Sequence, residues 1–254
     1  MRFSVVFFLG FALAKLRKMP YNKKKARREN GMIIVGICGA SGSGKSTLAR
    51  RIQESLTCNC IIIGQDCYYH NFAHLPFEER VHLNYDEPSI FDYDEMLRDI
   101  DDLQAGKPIT RKGYDYAHHL RDDSNELIDP PEVLILEGIH MFHDPRLLER
   151  MSLKVYMHVD IDVCLLRRIR RDMKSRGRTI DSITEQYMET VKPMYEKYIA
   201  NYIKVADFAI MRGGKNNMAI DCISAYLTTK VLAESFQRDA VRAEEAPEPA
   251  TDLS

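Results

Sequence analysis

Eight residues narrow the fold of this chain more than any other feature. Gly39-Ala40-Ser41-Gly42-Ser43-Gly44-Lys45-Ser46 matches the spacing G-x-x-x-x-G-K-[ST]. The apolar run MIIVGIC precedes it, and Thr47 leads into a segment with apolar residues three and four apart. A strand, a glycine-rich bend and a helix in that order let backbone N–H groups turn inward on an anion at the helix N-terminus. In such a bend Lys45 reaches the outer phosphates of a nucleotide, and the Ser46 hydroxyl can hold Mg²⁺. Nucleotide binding is therefore the expected role of the bend. The reaction has to be read from other residues.

The body repeats the strand-and-helix theme. Short continuous apolar runs at 32–38, 60–64, 133–136, 153–159 and 208–211 suit strands buried on both faces of a parallel sheet. Residues 46–56, 93–103, 163–174, 182–199 and 217–232 carry the helical period between or beyond them. This alternation predicts an α/β fold with three layers around a mainly parallel central sheet. Residues 109–128 depart from it, being polar and aromatic with Tyr114, Tyr116, His118 and His119, and read as a β-hairpin flap. No repeat or low-complexity linker divides 32–236, so a single domain is expected there.

With 254 residues, 45% hydrophobic and 29% charged, the chain can bury a sizeable core, and disordered, collagen-like and multi-span membrane classes are excluded. The formal charge is −1, but residues 1–31 carry nine Lys/Arg and one Glu, which leaves the body at −9. An acidic body argues against bulk nucleic-acid binding, which needs a basic face. The six cysteines lack a C-x-x-C pair or metal spacing, so free thiols in a reducing compartment, the cytoplasm, are expected. The apolar stretch 3–14 is too short to span a bilayer. A secretory signal or an import peptide are alternatives for 1–31, but a dispensable extension is the preferred reading, with translation starting at Met19 or Met32. Residues 237–254 are polar, acidic and Pro-containing, and are expected to be a frayed tail.

Two acids stand at strand ends, where ligands of open α/β sheets bind. Asp66 follows the run CIIIG, and Glu137 follows VLIL. Either can orient a hydrated Mg²⁺ or accept a proton from a substrate hydroxyl; a helix cap or a solvated loop acid is the bland alternative. A third feature is RRIRRDMKSRGR at 167–178, seven cations around Asp172 within an acidic body. Like charges at this density repel unless an anion arrives, so the segment reads as a helical lid that closes over a triphosphate.

Taken in order, GASGSGKST, QDCYY, NYDEPSIFD, YDYAHH, ILEGIHMF, DVCLLRRIRRDMKSRGR, QYMETVKPMY and DFAIMRGGKNN resemble the uridine kinase (uridine-cytidine kinase) family of P-loop kinases over residues 32 to about 234. The resemblance implies a P-loop NTPase-type fold. It also implies transfer of the γ-phosphoryl of ATP, with GTP as an alternative donor, to the 5'-hydroxyl of uridine or cytidine, with Mg²⁺. By residue, it implies Asp66 as catalytic base with Tyr69 beside it, and Asp86 as acceptor for the ribose hydroxyls. It implies Tyr114 and His119 at the pyrimidine edge and Tyr116 as a wall for the base. Arg178 and Gln186 resemble further nucleoside contacts. Arg168, Arg171 and Arg176 resemble the phosphate-contacting arginines, and Arg212 to Lys215 the segment passing the adenine. A homotetramer is the assembly that the family suggests.

Two departures stand out. Lys112-Gly113 precedes Tyr114 where relatives commonly have Pro-Val, which puts the angle of the flap in question. His140 replaces a usually apolar residue and is expected either to change pocket polarity or to point to solvent. Two other functions compete with the nucleoside kinase reading: a kinase of another small alcohol or sugar phosphate, and a nucleotide-binding regulator without catalysis. Asp86, Tyr114 and His119 argue against the first, and the two strand-end acids with the arginine set against the second.

Overall fold

In the computed structural model, which describes residues 31–245 with side chains through 239, strand β1 (Ile33–Gly39) is buried at every position. Its β-branched residues favour the extended backbone, and the absence of a polar face places it in the middle of a sheet. The glycine bend feeds α1 (Lys45–Ser55), which turns Leu48, Ala49 and Ile52 inward. There follow β2 (Cys60–Gly64), α2 (Tyr93–Gln104), β3 (Ile109–Thr110), β4 (Tyr114–Asp115), β5 (Leu120–Arg121) and β6 (Leu127–Ile128). The chain continues through β7 (Val133–Gly138), α3 (Pro145–Arg150), β8 (Leu153–His158), α4 (Ile161–Ser175), α5 (Ile180–Gln186), α6 (Lys192–Lys197), β9 (Phe208–Met211) and α7 (Asn217–Glu245).

The five expected strands form one parallel sheet in the order β2-β7-β1-β8-β9. Side chains alternate across it, as the period of two requires. Ile34, Leu134 and Leu136 enter one core with Met96, Ile100 and Leu103 of α2. Ile33, Val35 and Ile37 enter the other with Leu48 and Ile52 of α1 and Leu227 of α7. Each such side chain contributes about 1.5–3 kcal/mol on burial, which makes these two apolar layers the main support of the sheet. Register then fixes the site: Cys38 pairs with Gly138, and Gly64 with Glu137, so the ends of β1, β2 and β7 lie side by side.

The segment 109–128, read from sequence as a β-hairpin flap, holds two short antiparallel ladders, β3 with β6 and β4 with β5. Ion pairs tie it to α2. Lys112 reaches Asp99 at 2.9 Å and Glu95 at 3.4 Å on α2, and Arg121 reaches Glu95 at 2.5 Å. Gly113 is needed because a Cβ there would run into the carbonyl of Asp122.

Two helical expectations change. The single helix expected over 182–199 is α5, a wide π turn at Tyr187–Val191, and α6. Pro193 has no N–H for the Glu189 carbonyl, so the regular ladder cannot run through. Helix α7 extends past 232 to Glu245, into the stretch expected to be a tail, because its first helix breaker is Pro247. The extension expected at the N-terminus lies outside the described residues up to residue 30, as do residues 246–254 of the tail. Among the described residues no helix is long and apolar enough to cross a membrane.

Candidate active site

The ends of β1, β2 and β7 open into a cleft of about 880 Å³, walled by the flap on one side and by α4 and α5 on the other. On its floor is the glycine bend. Gly42 and Gly44 adopt φ of 84° and 98°, left-handed values that glycine takes without strain. A Cβ on Gly42 would also strike the Cys164 carbonyl. Lys45 is buried and donates to the Gly39 and Ala40 carbonyls at 3.1 and 3.0 Å, which leaves one ammonium N–H for a ligand. The first turn of α1 carries no acid, so its unpaired backbone N–H groups offer an undiluted site for negative charge. Ser46 Oγ donates to Glu137 Oε1 at 2.7 Å. Burial holds the Glu137 carboxyl above the ordinary range, against the opposing pull of Lys45 and Ser46.

Asp66 sits in a 3₁₀ turn, Gln65–Tyr68, at the end of β2. Tyr69 is beside it as expected, donating to Oδ1 at 3.2 Å. Tyr116 does more than wall the cleft: its hydroxyl donates to Asp66 Oδ2 at 2.6 Å, and the Arg176 guanidinium lies 4.1 Å over its ring.

Asp86 is buried. Its Oδ2 accepts from Thr190 Oγ1 at 3.3 Å, and its main-chain oxygen from His140 Nε2 at 2.6 Å. Burial raises its carboxyl pKa, while Arg168 and Thr190 pull it down. His140 is thus fully buried and does not point to solvent. Above Asp86, the Tyr85 and His119 rings stack at 4.9 Å, and Tyr114 packs against Tyr69 at 4.8 Å. His119 has a φ of 52°, rare for a residue with a side chain, and its buried Nδ1 has no hydrogen-bond partner among the described residues. Burial, with Arg178, Arg176 and Arg80 nearby, holds its pKa below the usual histidine value, so the ring is neutral at pH 7.

The arginines converge as the basic run suggests, around an acid whose role sequence reading missed. Asp172 is fully buried; its Oδ1 meets Arg171 Nε at 2.8 Å and Arg176 Nη1 at 3.5 Å, and its Oδ2 lies 3.6 Å from Arg168 Nε. The clue was present: Asp172 is the only acid among seven cations and stands four residues from both Arg168 and Arg176. Arg168 also donates to Ser41 Oγ at 3.1 Å and to Gln186 Oε1 at 2.8 Å. Arg178 donates to the same Gln186 oxygen and to Ser182 Oγ at 2.8 Å, so Arg178 and Gln186 form one hydrogen-bonded unit on the cleft wall.

Most of the residues singled out in the sequence line this cleft: Ser41, Lys45, Ser46, Asp66, Tyr69, Asp86, Tyr114, Tyr116, His119, Glu137, Arg168, Arg171, Arg176, Arg178 and Gln186. Gly39, Ala40, Gly42, Ser43, Gly44, Thr47, Arg212 and Lys215 are not among its lining residues. The turn that follows Arg212 packs behind the bend, where a Cβ on Gly214 would meet the Gly44 carbonyl. Thr190, which also lines the cleft, gave no sequence signal as part of the site, and His140 was read only as a polar departure. Thr190 is brought there by the π turn.

The sequence model of the Phosphoribulokinase / Uridine kinase family matches residues 34–219. Uridine kinase of Ligilactobacillus salivarius is 42% identical over 207 residues, covering 81% of this chain and 95% of that protein. Uridine kinase of Bacillus subtilis is 42% identical over 198 residues, covering 78% of this chain and 94% of that protein. Phosphoribulokinase from Rhodobacter spheroides has the same fold, with a TM-score of 0.53 at 16% identity over 72% of this chain and 70% of that one.

Proposed function

The chain belongs to the phosphoribulokinase / uridine kinase family, and on that premise we propose that it transfers the γ-phosphoryl group of ATP to the 5'-hydroxyl of uridine or cytidine. The observation that carries this reading is the meeting of two recognition sets in one cleft. Lys45 of the phosphate cradle, Asp66, and a set of Asp86, Tyr114 and His119 suited to a sugar and a base all line the same cleft.

In this reading Asp86 accepts hydrogen bonds from the ribose hydroxyls, since an ionised carboxylate offers only lone pairs. The neutral His119 ring and Tyr114 supply hydrogen bonds for the pyrimidine edge, and Tyr85 and Tyr69 provide apolar walls. Asp66 accepts the 5'-hydroxyl proton as the O5'–phosphorus bond forms and the bond from phosphorus to the β-phosphate oxygen breaks. The products are the nucleoside monophosphate and ADP, and Asp66 returns its proton to water. Lys45, Arg171 and Arg176 stabilise the charge spread over the transferring group, and positioning supplies most of the rate.

Ser46, Glu137 and Asp66 offer oxygen donors alone at the mouth of the bend, a set that suits Mg²⁺. When bound, that ion neutralises β- and γ-phosphate oxygens. An ADP-release assay over a panel of nucleosides, sugar phosphates and small alcohols, with and without Mg²⁺, tests the proposal. Turnover of uridine or cytidine is expected only with the metal; turnover of a non-nucleoside alone overturns it.

A further inference from the structure

His140 joins segments that are remote in sequence. Its backbone N–H donates to Gln65 Oε1 at 2.9 Å, beside Asp66. Its Nε2 lies 2.6 Å from the Asp86 carbonyl and its Nδ1 2.9 Å from the Tyr202 hydroxyl. His143 Nδ1 lies 3.0 Å from that same hydroxyl.

Valence sets the direction of this chain. A carbonyl only accepts, so His140 Nε2 must carry the proton toward Asp86. The ring is buried and its pKa is pushed down to about 4, so it is neutral and Nδ1 is an acceptor. Tyr202 then spends its single proton on His140 and accepts from His143 Nδ1–H. The sequence His143 to Tyr202 to His140 to the Asp86 carbonyl has every donor and acceptor assigned, and it locks the imidazole in one tautomer and one orientation.

We propose that His140 is a positioning residue for nucleoside recognition: by holding the Asp86 peptide it fixes where the Asp86 carboxylate meets the ribose. The Asp86 side chain has Thr190 as its hydrogen-bond donor, at 3.3 Å, so the main-chain bond is the shorter constraint on its place. The inference rests on the nucleoside kinase reading, but concerns the aim of Asp86 alone.

Two amide substitutions separate the ring nitrogens. The Gln amide nitrogen reaches about as far as Nε2 and can still donate to the Asp86 carbonyl, whereas the Asn nitrogen reaches only as far as Nδ1. Steady-state kinetics of His140→Asn should show the KM for the nucleoside rising about tenfold or more. The KM for ATP should stay within twofold, and His140→Gln should recover most of the loss. A merely structural role would move both KM values and the unfolding midpoint together, and equal behaviour of the two variants overturns the proposal. If His140→Asn fails to fold, shown by loss of nucleotide binding, Tyr202→Phe decides. It releases the ring while keeping the Nε2 donor, and should raise the nucleoside KM severalfold; an unchanged KM overturns the proposal. Wild-type turnover of uridine is measured alongside. If it is absent, the nucleoside reading fails, and the same comparison is made with whichever acceptor the wild type phosphorylates.

Discussion

The Tyr116 hydroxyl donates a 2.6 Å hydrogen bond to Asp66 Oδ2, while the Arg176 guanidinium rests 4.1 Å above the same ring. One flap residue therefore touches the proposed base with its polar end and the arginine-rich segment with its face. A shift of either neighbour is felt by the other. Removing the hydroxyl keeps the ring and its arginine but frees one carboxylate oxygen. A net hydrogen bond contributes about 1 kcal/mol, so Tyr116→Phe should lower kcat roughly fivefold and leave the KM for ATP little changed. A steady-state comparison with wild type reads this directly.

Asp66→Asn removes the proton acceptor and keeps the shape. Loss of a general base costs about 10²- to 10⁴-fold in turnover. Nucleotide affinity, measured calorimetrically, should be nearly unchanged, because the cradle is built from Gly39 to Ser46 and from Lys45 bonded to its own loop. Activity equal to wild type would remove Asp66 from the mechanism.

Asp172→Asn tests the organiser of the arginines. Breaking a buried ion pair by removing one partner costs about 3–5 kcal/mol, and the lower end applies here because Arg171 is 40% exposed. Urea unfolding should show that loss. The KM for ATP should rise as well, since Arg168, Arg171 and Arg176 lose the carboxylate that gathers them.

Acid sensitivity follows from His140. Its pKa in the folded protein, about 4, lies below the ordinary histidine value, so the folded state resists the proton that the unfolded chain accepts. The associated stability is complete above about pH 6.5 and falls as pH drops from there toward 4, by about 3 kcal/mol in all. The raised carboxyls of Asp86 and Glu137 act in the opposite sense and soften the fall. Urea midpoints at pH 7.5 and pH 5 should therefore separate more for wild type than for His140→Gln. An equal pH dependence in the two proteins would contradict this assignment.

Parts of the molecule were legible because their causes are local. A continuous β-branched run makes β1 without help, and G-x-x-x-x-G-K-S shapes a phosphate cradle through backbone geometry alone. Asp66 and Glu137 could be placed at one edge because parallel strands end together. The arginine run read as a lid over a triphosphate; the structure shows Arg168, Arg171, Arg176 and Arg178 lining the cleft. The break in the helix at 187–191 was present in Pro193, yet only the packed structure shows what it achieves, the delivery of Thr190 to Asp86.

The amino-acid order by itself determined the alternation of strand and helix, the cradle, and which acids could stand beside it. Tertiary structure decided how those groups are held. Tyr116 meets Asp66 across 50 residues, His140 meets Asp86 across 54, and Thr190 meets Asp86 across 104. A side-chain hydrogen bond depends on distances of a few tenths of an ångström between segments that packing alone brings together, and no local propensity encodes that.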